Sequence, residues 1–407
     1  MNYYRFFISN WKILLFAILF TFFSGFGQTF LISLYIPNFL SDFSISQTAY
    51  STIYSSATLL SGLVIIFAGK LIDQIPLKAF AITVILGIVI ANFTTGFSIN
   101  IPMLFIGIFM LRFFGQGLLS HTAMTAMGRY FSKARGKALS IAYLGFPVAE
   151  AFFPIAIVST ISIFGWRESF WVSAFFIVII LFPSTLILLR NFKKEDIRED
   201  IEESSKTKSV LLNIGEKTWS QRDIIKNSNF YFFAPTVFFV GFILTALFFF
   251  QTFIANFKGW NLEWMAINIT AYAAASFAFS ILAGPIIDKL SAKKVFPFIL
   301  LPMALGIGVL ISFSHPLATT IFWFLVGISA GLNPTVSNAL YAEVYGIVNL
   351  GSVRSLYTFV MVASTAMGPV FYSLLLDKGL NFNQIHLLLI IALLINSFVL
   401  LHRLINN

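Results

Sequence analysis

Two ionisable residues lie deep inside otherwise apolar segments of the sequence. Arg112 stands about 11 residues, or ~16 Å, from the start of one segment, and Glu150 stands about 13 residues, or ~20 Å, into the next. A charge at the centre of a bilayer costs at least ~2.5 to 3.5 kcal/mol, so residues of this kind are candidates for function. We expect Arg112 to bind an anionic group or to pair with Glu150, and Glu150 to carry a proton. The alternative is an ion pair that only fixes two helices.

Uncharged polar side chains in other apolar segments form a second group of candidates. The amides Gln28, Gln251 and Asn333 belong to this group. Amides in such segments can orient a bound molecule or can satisfy hydrogen bonds between helices, and the sequence leaves both interpretations open.

His121 follows Arg112 in the same segment, ~14 Å further along a helix. It can relay protons, or it can end a helix as an ordinary hydrogen-bonded histidine. Met124 and Met127 follow it at helical spacing, and imidazole with thioether suits Cu(I), although methionine is also common packing material. We predict no resident metal and no cofactor.

The composition identifies the environment in which these residues work. Of 407 residues, 58% are hydrophobic and only 10% are charged, which excludes a soluble enzyme, a disordered chain and a nucleic-acid binder. No constellation of His, Asp or Ser lies at depth, so we do not expect an enzyme with an intramembrane active site. The chain contains no cysteine, which removes disulfides and thiolate chemistry.

Twelve apolar runs are long enough to cross ~30 Å of hydrocarbon, which needs about 20 residues. In the first half of the chain they cover residues 12–36, 48–68, 79–99, 102–127, 137–161 and 168–189. In the second half they cover residues 230–255, 264–287, 295–314, 317–341, 353–376 and 385–403. We number them span 1 to span 12.

The basic residues predict the orientation of these spans. If both termini are cytoplasmic, 22 of the 26 Lys and Arg residues lie on cytoplasmic segments, as in most multi-pass membrane proteins. The sequence thus predicts an integral protein of a bacterial inner membrane. Its predicted domains are a six-helix bundle over 1–189, a cytoplasmic linker over 190–229 and a second six-helix bundle over 230–407.

The two halves repeat a short motif. Ala68–Asp73 and Ala283–Asp288 share Ala, Gly and Asp at an offset of 215, each with a lysine five residues later. A weaker repeat relates Gln28-Thr29-Phe30 in span 1 to Gln251-Thr252-Phe253 in span 7. These repeats indicate a duplicated six-helix unit.

At these residues the chain resembles the major facilitator superfamily of secondary transporters. The residues that match the cytoplasmic signature of that family are Gly69, Asp73 and Lys78 in the first copy and Gly284, Asp288 and Lys293 in the second. The resemblance implies an all-α membrane protein of 12 transmembrane helices in two pseudo-symmetric six-helix bundles, with spans 1, 4, 7 and 10 around a central cavity. It also implies that the signature residues act as a conformational latch.

A finer resemblance is to the monocarboxylate and oxalate/formate carriers. The segment Arg129 to Ser140, which enters span 5, and Gly165-Trp166-Arg167 after that span carry this likeness. However, span 8 has no charged residue before Asp288, where monocarboxylate carriers place an Asp/Arg pair. The resemblance to these carriers therefore implies the fold and does not imply the substrate.

Together these features predict a monomeric transporter that moves a small organic anion with protons by alternating access. Its expected partners are this small-molecule substrate, protons and the lipid bilayer. The alternatives are a multidrug or metabolite exporter, a copper importer, and a sensor that keeps the carrier fold without transport.

Overall fold

The computed structural model describes residues 3–131, 135–190, 192, 221–346 and 350–406. Within these residues every regular element is a helix. Eleven helices are long and apolar enough to cross a membrane, and the 22-residue helix Gln47–Ala68 occupies the place of the expected span 2. The predicted all-α membrane fold with twelve spans is confirmed. The chain divides into two compact units, Met1–Val210 and Leu211–Asn407.

The first unit contains spans 1 to 6, several of which are built from more than one helix. Span 1 comprises Tyr3–Phe23, Ser24–Gly27, Thr29–Ile32 and Ser33–Tyr35, and a short helix, Ile36–Phe43, connects it to span 2. Span 2 comprises Gln47–Ala68 and Gly69–Asp73, and span 3 is Leu77–Gly96. Span 4 comprises Ile101–Met110, Leu111–Leu119 and Ser120–Tyr130. Span 5 comprises Arg135–Tyr143 and Gly145–Phe164, and span 6 comprises Trp166–Phe176, Ile177–Leu181 and Phe182–Leu188.

The second unit contains spans 7 to 12 after a short helix, Gln221–Lys226. Span 7 comprises Ser228–Phe249 and Gln251–Lys258, and span 8 is Leu262–Leu290. Span 9 comprises Ala292–Val295, Phe296–Phe298 and Leu301–Ser312. Spans 10, 11 and 12 are Leu317–Tyr345, Leu350–Asp377 and Phe382–Asn406.

Several spans begin at a polar residue that caps the first helical turn. Ser46 accepts a hydrogen bond from the Ala49 N–H at 3.1 Å, and Asn100 accepts one from the Met103 N–H at 2.9 Å. A side-chain oxygen at this position satisfies a backbone donor that has no partner inside the helix. These caps fix where spans 2 and 4 begin.

Spans 1 and 7 are interrupted at corresponding points of the repeat. In span 1 the last helical turn before the break is a 3-10 turn, Ser24–Gly27, and Gln28 is extended with φ −84° and ψ 153°. In span 7 the helix Ser228–Phe249 is followed by Phe250, with φ −94° and ψ 8°, and a new helix begins at Gln251. The sequence predicts one continuous apolar run at each of these spans, and it does not predict either break. They fall at or immediately before the repeated Gln-Thr-Phe.

Aromatic rings fill much of each unit's interior. In the first unit the ring of Tyr35 stacks on Phe170 with centroids 4.1 Å apart. In the second unit Trp323 stacks on Phe248 at 4.7 Å, and Tyr341 stacks on Tyr357 at 4.2 Å. Stacked rings of this kind add favourable contacts between the spans of each unit.

Candidate functional site

The centre of the first unit is a crossing between the broken span 1 and an irregular stretch of span 4. Residues Leu111–Leu119 of span 4 form a π-helix, and Gly115 of this stretch meets Gly27 at the break in span 1. A methyl group on Gly115 would lie 2.7 Å from the Cα atom of Gly27, so the two backbones touch. π-Helical turns occur frequently at functional sites because they displace side chains from their regular positions.

Arg112 lies in this π-helix and is 1% exposed. Its Nη1 donates to the carbonyl oxygen of Gly27 at 2.9 Å and to Oγ1 of Thr29 at 3.4 Å. Its Nε donates to Oγ1 of Thr58 in span 2 at 3.1 Å. The Cζ atom also lies 5.1 Å from the centre of the Tyr54 ring, within the range of a cation–π contact. Arg112 thus ties together spans 1, 2 and 4.

The hydroxyl groups around Arg112 are oriented to accept hydrogen bonds from its N–H groups. Thr58 donates its own proton to the Tyr54 carbonyl at 2.8 Å, which leaves its lone pairs facing Arg112. Thr29 and the Tyr54 hydroxyl share a hydrogen bond of 2.7 Å. All of these partners are neutral. Among the described residues, no carboxylate lies within ion-pair distance of Arg112, and its Nη2 has no hydrogen-bond acceptor.

Glu150 lies in the helix Gly145–Phe164 of span 5 and is only partly buried. The expected pairing with Arg112 is not found, because the guanidinium points at spans 1 and 2. Within the described parts of the chain no hydrogen bond or ion pair involves the Glu150 carboxylate. The Glu150 carboxylate acts electrostatically on Tyr143, seven residues earlier in span 5. Glu150 and Arg112 are therefore separate features of the first unit.

His121 contacts the first copy of the repeated motif. Its Nε2 lies 3.1 Å from the carbonyl oxygen of Gly69 and 3.4 Å from Oγ1 of Thr125. A Cβ atom on Gly69 would lie 3.0 Å from the same nitrogen, so a glycine allows this approach. The bond joins span 4 to the end of span 2. It directs the imidazole nitrogen at a backbone carbonyl rather than at Met124 or Met127.

The predicted latch residues have different surroundings in the two copies. Lys78 is exposed in the first turn of span 3, and a Cβ on Gly284 would meet no atom within 4 Å. Beside Lys293, the carboxylate of Glu343 accepts the backbone N–H groups of Ala292 at 2.7 Å and Lys293 at 3.1 Å. The side chains of Asp73 and Asp288 lie outside the described part of the structure. The two copies are therefore not equivalent in their packing.

In the second unit, Gln251 and Asn333 occupy buried positions. Gln251 is 0% exposed at the start of the second helix of span 7, and the neighbouring Thr252 hydroxyl has no hydrogen-bond partner among the described residues. Asn333 in span 10 is 7% exposed and accepts a hydrogen bond from Ser337 at 3.0 Å. In the first unit, Gln28 is half-buried at the break itself.

Sequence reasoning missed the contribution of span 2 to the Arg112 site. Tyr54 and Thr58 provide a ring and an acceptor for the guanidinium, yet neither carries a charge that would single it out. Their spacing of four residues, with Tyr50 one turn earlier, places a polar stripe on one face of span 2. That stripe is the signal that would have found them.

Comparison with known proteins agrees with this architecture. The family model described as Major Facilitator Superfamily matches residues 17–269 and 259–405. A protein of Schizosaccharomyces pombe named "Uncharacterized transporter mfc1" is 26% identical over 204 residues, which are 48% of this chain and 40% of that protein. The chain thus spans less than half the length of this relative.

Two solved structures share the fold at low sequence identity. The nucleoside transporter NupG superposes with a TM-score of 0.72 at 11% identity, over 99% of both chains. A bacterial homologue of the human lysosomal transporter Spinster, in an inward-facing and unoccupied conformation, gives 0.67 at 14% identity, over 96% of this chain and 92% of that one. With the twelve spans and the family match over most of its length, this chain belongs to the Major Facilitator Superfamily and is an integral membrane protein.

Proposed function

We propose that this transporter moves a small organic anion together with protons by alternating access, and that Arg112 provides the anion site. The proposal rests on one observation above all, which is a guanidinium that is 1% exposed and has no carboxylate partner among the described residues. A buried charge ordinarily has a counter-charge, because the cost of its desolvation is otherwise not offset. An anionic substrate would supply that counter-charge.

The hydrogen bonds of Arg112 support a specific orientation of such a substrate. Nε and Nη1 donate to neutral acceptors in spans 1 and 2, which holds the guanidinium plane in one position. Nη2 keeps two N–H groups without an acceptor in the described chain. A carboxylate bound at Nη2 would form a charge-assisted hydrogen bond, and the guanidinium fork suits a planar carboxylate better than a lysine does.

The break in span 1 provides a means of access to this site. Arg112 is covered in the present conformation, so a substrate must enter when span 1 moves away from span 4. Gln28 is extended, and the π-helix in span 4 departs from regular hydrogen bonding on the other side of the same crossing. Discontinuous helices at binding sites are common in secondary transporters, where the irregular backbone faces the substrate.

Glu150 is the proposed proton carrier. Its carboxyl group lies within span 5 and has no ion-pair partner among the described residues, so it can gain or lose a proton without breaking an ion pair. Coupling would arise if the protonated and charged forms of Glu150 favour different conformations of the first unit.

We also propose that the protein is related most nearly in function to the monocarboxylate and oxalate/formate carriers. This relation is supported by the segment Arg129 to Ser140 and by the charge at Arg112. We also propose that both termini are cytoplasmic, in a bacterial inner membrane, and that the chain acts as a monomer. The distribution of Lys and Arg over the connecting segments supports that orientation.

Uptake into proteoliposomes tests the function. Radiolabelled lactate, formate, oxalate, uridine and tetraphenylphosphonium are offered with and without an acidic exterior. We expect uptake of at least one carboxylate, stimulated by the acidic exterior and lowered at least ~100-fold by Arg112→Gln. The control Arg167→Gln removes an arginine whose carboxylate partner is Asp42, and it retains uptake. Uptake of uridine or the cation alone, or equal uptake by Arg112→Gln, would refute the anion proposal.

A second measurement tests the role of Glu150. In Glu150→Gln we expect exchange of the anion across the membrane to continue while stimulation by an acidic exterior is lost. The exposed Glu263→Gln variant serves as the matched control and keeps both activities. Stimulation by acid that persists in Glu150→Gln would place the coupling site elsewhere.

A further inference from the structure

A cavity of about 300 Å³ lies in the second unit, among spans 7, 9, 10 and 12. Its polar wall consists of Asn229, Lys293 and Arg403, and its apolar wall includes Phe233, Pro297 and Leu400. This volume corresponds to roughly ten water-sized groups. It is far from the Arg112 crossing in the sequence and belongs to the other unit, so the anion proposal does not use it.

The guanidinium of Arg403 is fixed at the edge of this cavity. Its Nη2 donates to Oδ1 of Asn229 at 2.7 Å and to Oγ of Ser228 at 3.2 Å. Its Cζ atom lies 3.8 Å from the centre of the Phe232 ring. These contacts hold a positive charge in a defined place, because the stacked ring and the two acceptors limit the rotamers of a long side chain.

The balance of charge in this cavity is positive. Two basic side chains, Lys293 and Arg403, line it, and none of the described residues that line it is acidic. The nearby carboxylate of Glu343 directs both of its oxygens at the backbone N–H groups of Ala292 and Lys293, at the start of span 9. This carboxylate therefore caps a helix end.

A largely apolar groove of about 410 Å³ lies along spans 7 and 12, with Asn396 as its one amide side chain among the described residues that line it. Its lining includes Tyr231, Pro235 and Phe239 of span 7 and Ile395 and Val399 of span 12. None of the described residues that line the groove carries a charge. Phe232 lines this groove, and the Arg403 guanidinium lies over its ring. The charged cavity and the apolar groove therefore meet at this contact.

We infer that the cavity and the groove together bind one anionic phospholipid. Its phosphate lies against Lys293 and Arg403, and one acyl chain follows the groove between spans 7 and 12. Basic residues at the membrane surface attract anionic headgroups, and basic pockets between transmembrane helices bind them specifically. A soluble phosphate would fit the charged cavity but would leave the groove empty. The groove's side chains Tyr231 and Ile395 are 61% and 58% exposed, and an acyl chain would cover them.

Native mass spectrometry of the purified full-length protein tests this site. The protein is incubated separately with phosphatidylglycerol and with phosphatidylcholine of the same acyl chains, and the fraction that retains one lipid is compared. We expect retention of phosphatidylglycerol to exceed that of phosphatidylcholine at least about fivefold, and Lys293→Gln to lower it about fivefold. Lys378→Gln removes an exposed charge from the connection between spans 11 and 12, and we expect it to leave retention unchanged.

Three additional variants separate lipid binding from misfolding and from the binding of a soluble anion. Arg403→Gln also removes packing on Phe232, so Arg403→Lys and the Tm of each variant without lipid distinguish loss of binding from misfolding. Ala392→Phe fills the groove and is expected to lower retention while both basic residues remain. Equal retention of the two lipids by the wild type, or unchanged retention in Lys293→Gln, would overturn the site. Displacement of the lipid by millimolar inorganic phosphate, with no effect of Ala392→Phe, would assign the cavity to a soluble anion instead.

Discussion

Nη1 of Arg112 lies 2.9 Å from the carbonyl oxygen of Gly27, and this hydrogen bond joins the break in span 1 to the π-helix of span 4. The carbonyl belongs to the 3-10 turn that ends just before the extended residue Gln28. The arginine is therefore both a charge and a partner for backbone left unpaired by the break. Any movement of span 1 that opens the site must release this bond, which couples the charge of Arg112 to the conformation of the unit.

The close crossing at Gly27 predicts that a methyl group there destabilises the protein. In Gly27→Ala the added Cβ would overlap the backbone of Leu111 and Gln116. We expect a loss of about 1 to 3 kcal/mol from overpacking, measured as a lower Tm in detergent. Gly308→Ala in span 9 is the matched control, because its Cβ meets no atom within 4 Å. An equal Tm for both variants would contradict the close crossing.

Removal of the hydrogen-bond acceptor in span 2 is also expected to destabilise the protein. Thr58→Val keeps the shape of the side chain but removes the oxygen that accepts Nε of Arg112. A buried charged donor without an acceptor costs about 1 to 3 kcal/mol, so the Tm should fall. Thr83→Val removes an exposed hydroxyl that bonds only the Ala79 carbonyl among the described residues, and it should change stability by less than ~0.5 kcal/mol. Similar values for the two variants would argue against the Arg112 network.

Substitution of two threonines in the second unit is expected to affect the Tm differently. The buried Thr252 hydroxyl has no partner among the described residues, so Thr252→Val should leave the Tm unchanged or raise it. Thr236 accepts a hydrogen bond from Nδ2 of Asn396 at 2.8 Å, so Thr236→Val should lower the Tm by leaving that amide unpaired. If Thr252→Val also lowers anion uptake, its hydroxyl contacts the substrate in another conformation. A Tm that falls in both variants would be inconsistent with the unpaired state of Thr252.

The ion pair between Asp42 and Arg167 predicts how stability depends on acid. Hydrogen bonds from Arg167 and from Nε1 of Trp166, the latter 3.0 Å long, lower the pKa of the Asp42 carboxyl group. Because the folded pKa lies below the unfolded value of about 3.9, the contribution of Asp42 is present above that pH and is lost as the pH falls through the folded pKa. The difference in Tm between wild type and Asp42→Asn should therefore be larger at pH 7 than at pH 3.

The size of this acid effect should be small. Both side chains are about one third exposed, so solvent screens the pair. The exposed Glu263→Gln serves as the control, and the pH should change its Tm difference from wild type less than it changes that of Asp42→Asn. A difference between wild type and Asp42→Asn that does not depend on pH would show that the pair does not contribute to folding.

The sequence predicts the spans well because their length is set by the bilayer and their ends by charges and caps. The repeat at Gln28 and Gln251 even marks the two breaks, since each helix resumes at or just after that glutamine. It does not reveal the extended conformation of Gln28, which depends on tertiary contacts with span 4. The π-helix at Arg112 is hidden for the same reason, because no residue type specifies it.

The pairing of Arg112 with Glu150, one of the two alternatives that the sequence leaves open, shows a limit of arguments from depth. Counting residues along antiparallel spans places both at similar heights, but it leaves the rotation of each helix about its axis undetermined. The structure turns Arg112 toward Gly27, Thr29 and Thr58, and the Glu150 carboxylate lies near Tyr143 instead. Rotation is set by small contacts such as Gly27 against Gly115, whose packing a single sequence does not specify.

Thermal stabilisation of the purified protein by small carboxylates tests the role of Arg112 most directly, because a ligand that binds only the folded state raises its Tm. We predict that at least one carboxylate raises the Tm of the wild type and of Arg167→Gln and has no effect on Arg112→Gln at the same concentration. Equal stabilisation of Arg112→Gln, or stabilisation of the wild type only by uridine, lipophilic cations or Cu(I), would contradict the assignment of Arg112 as an anion site.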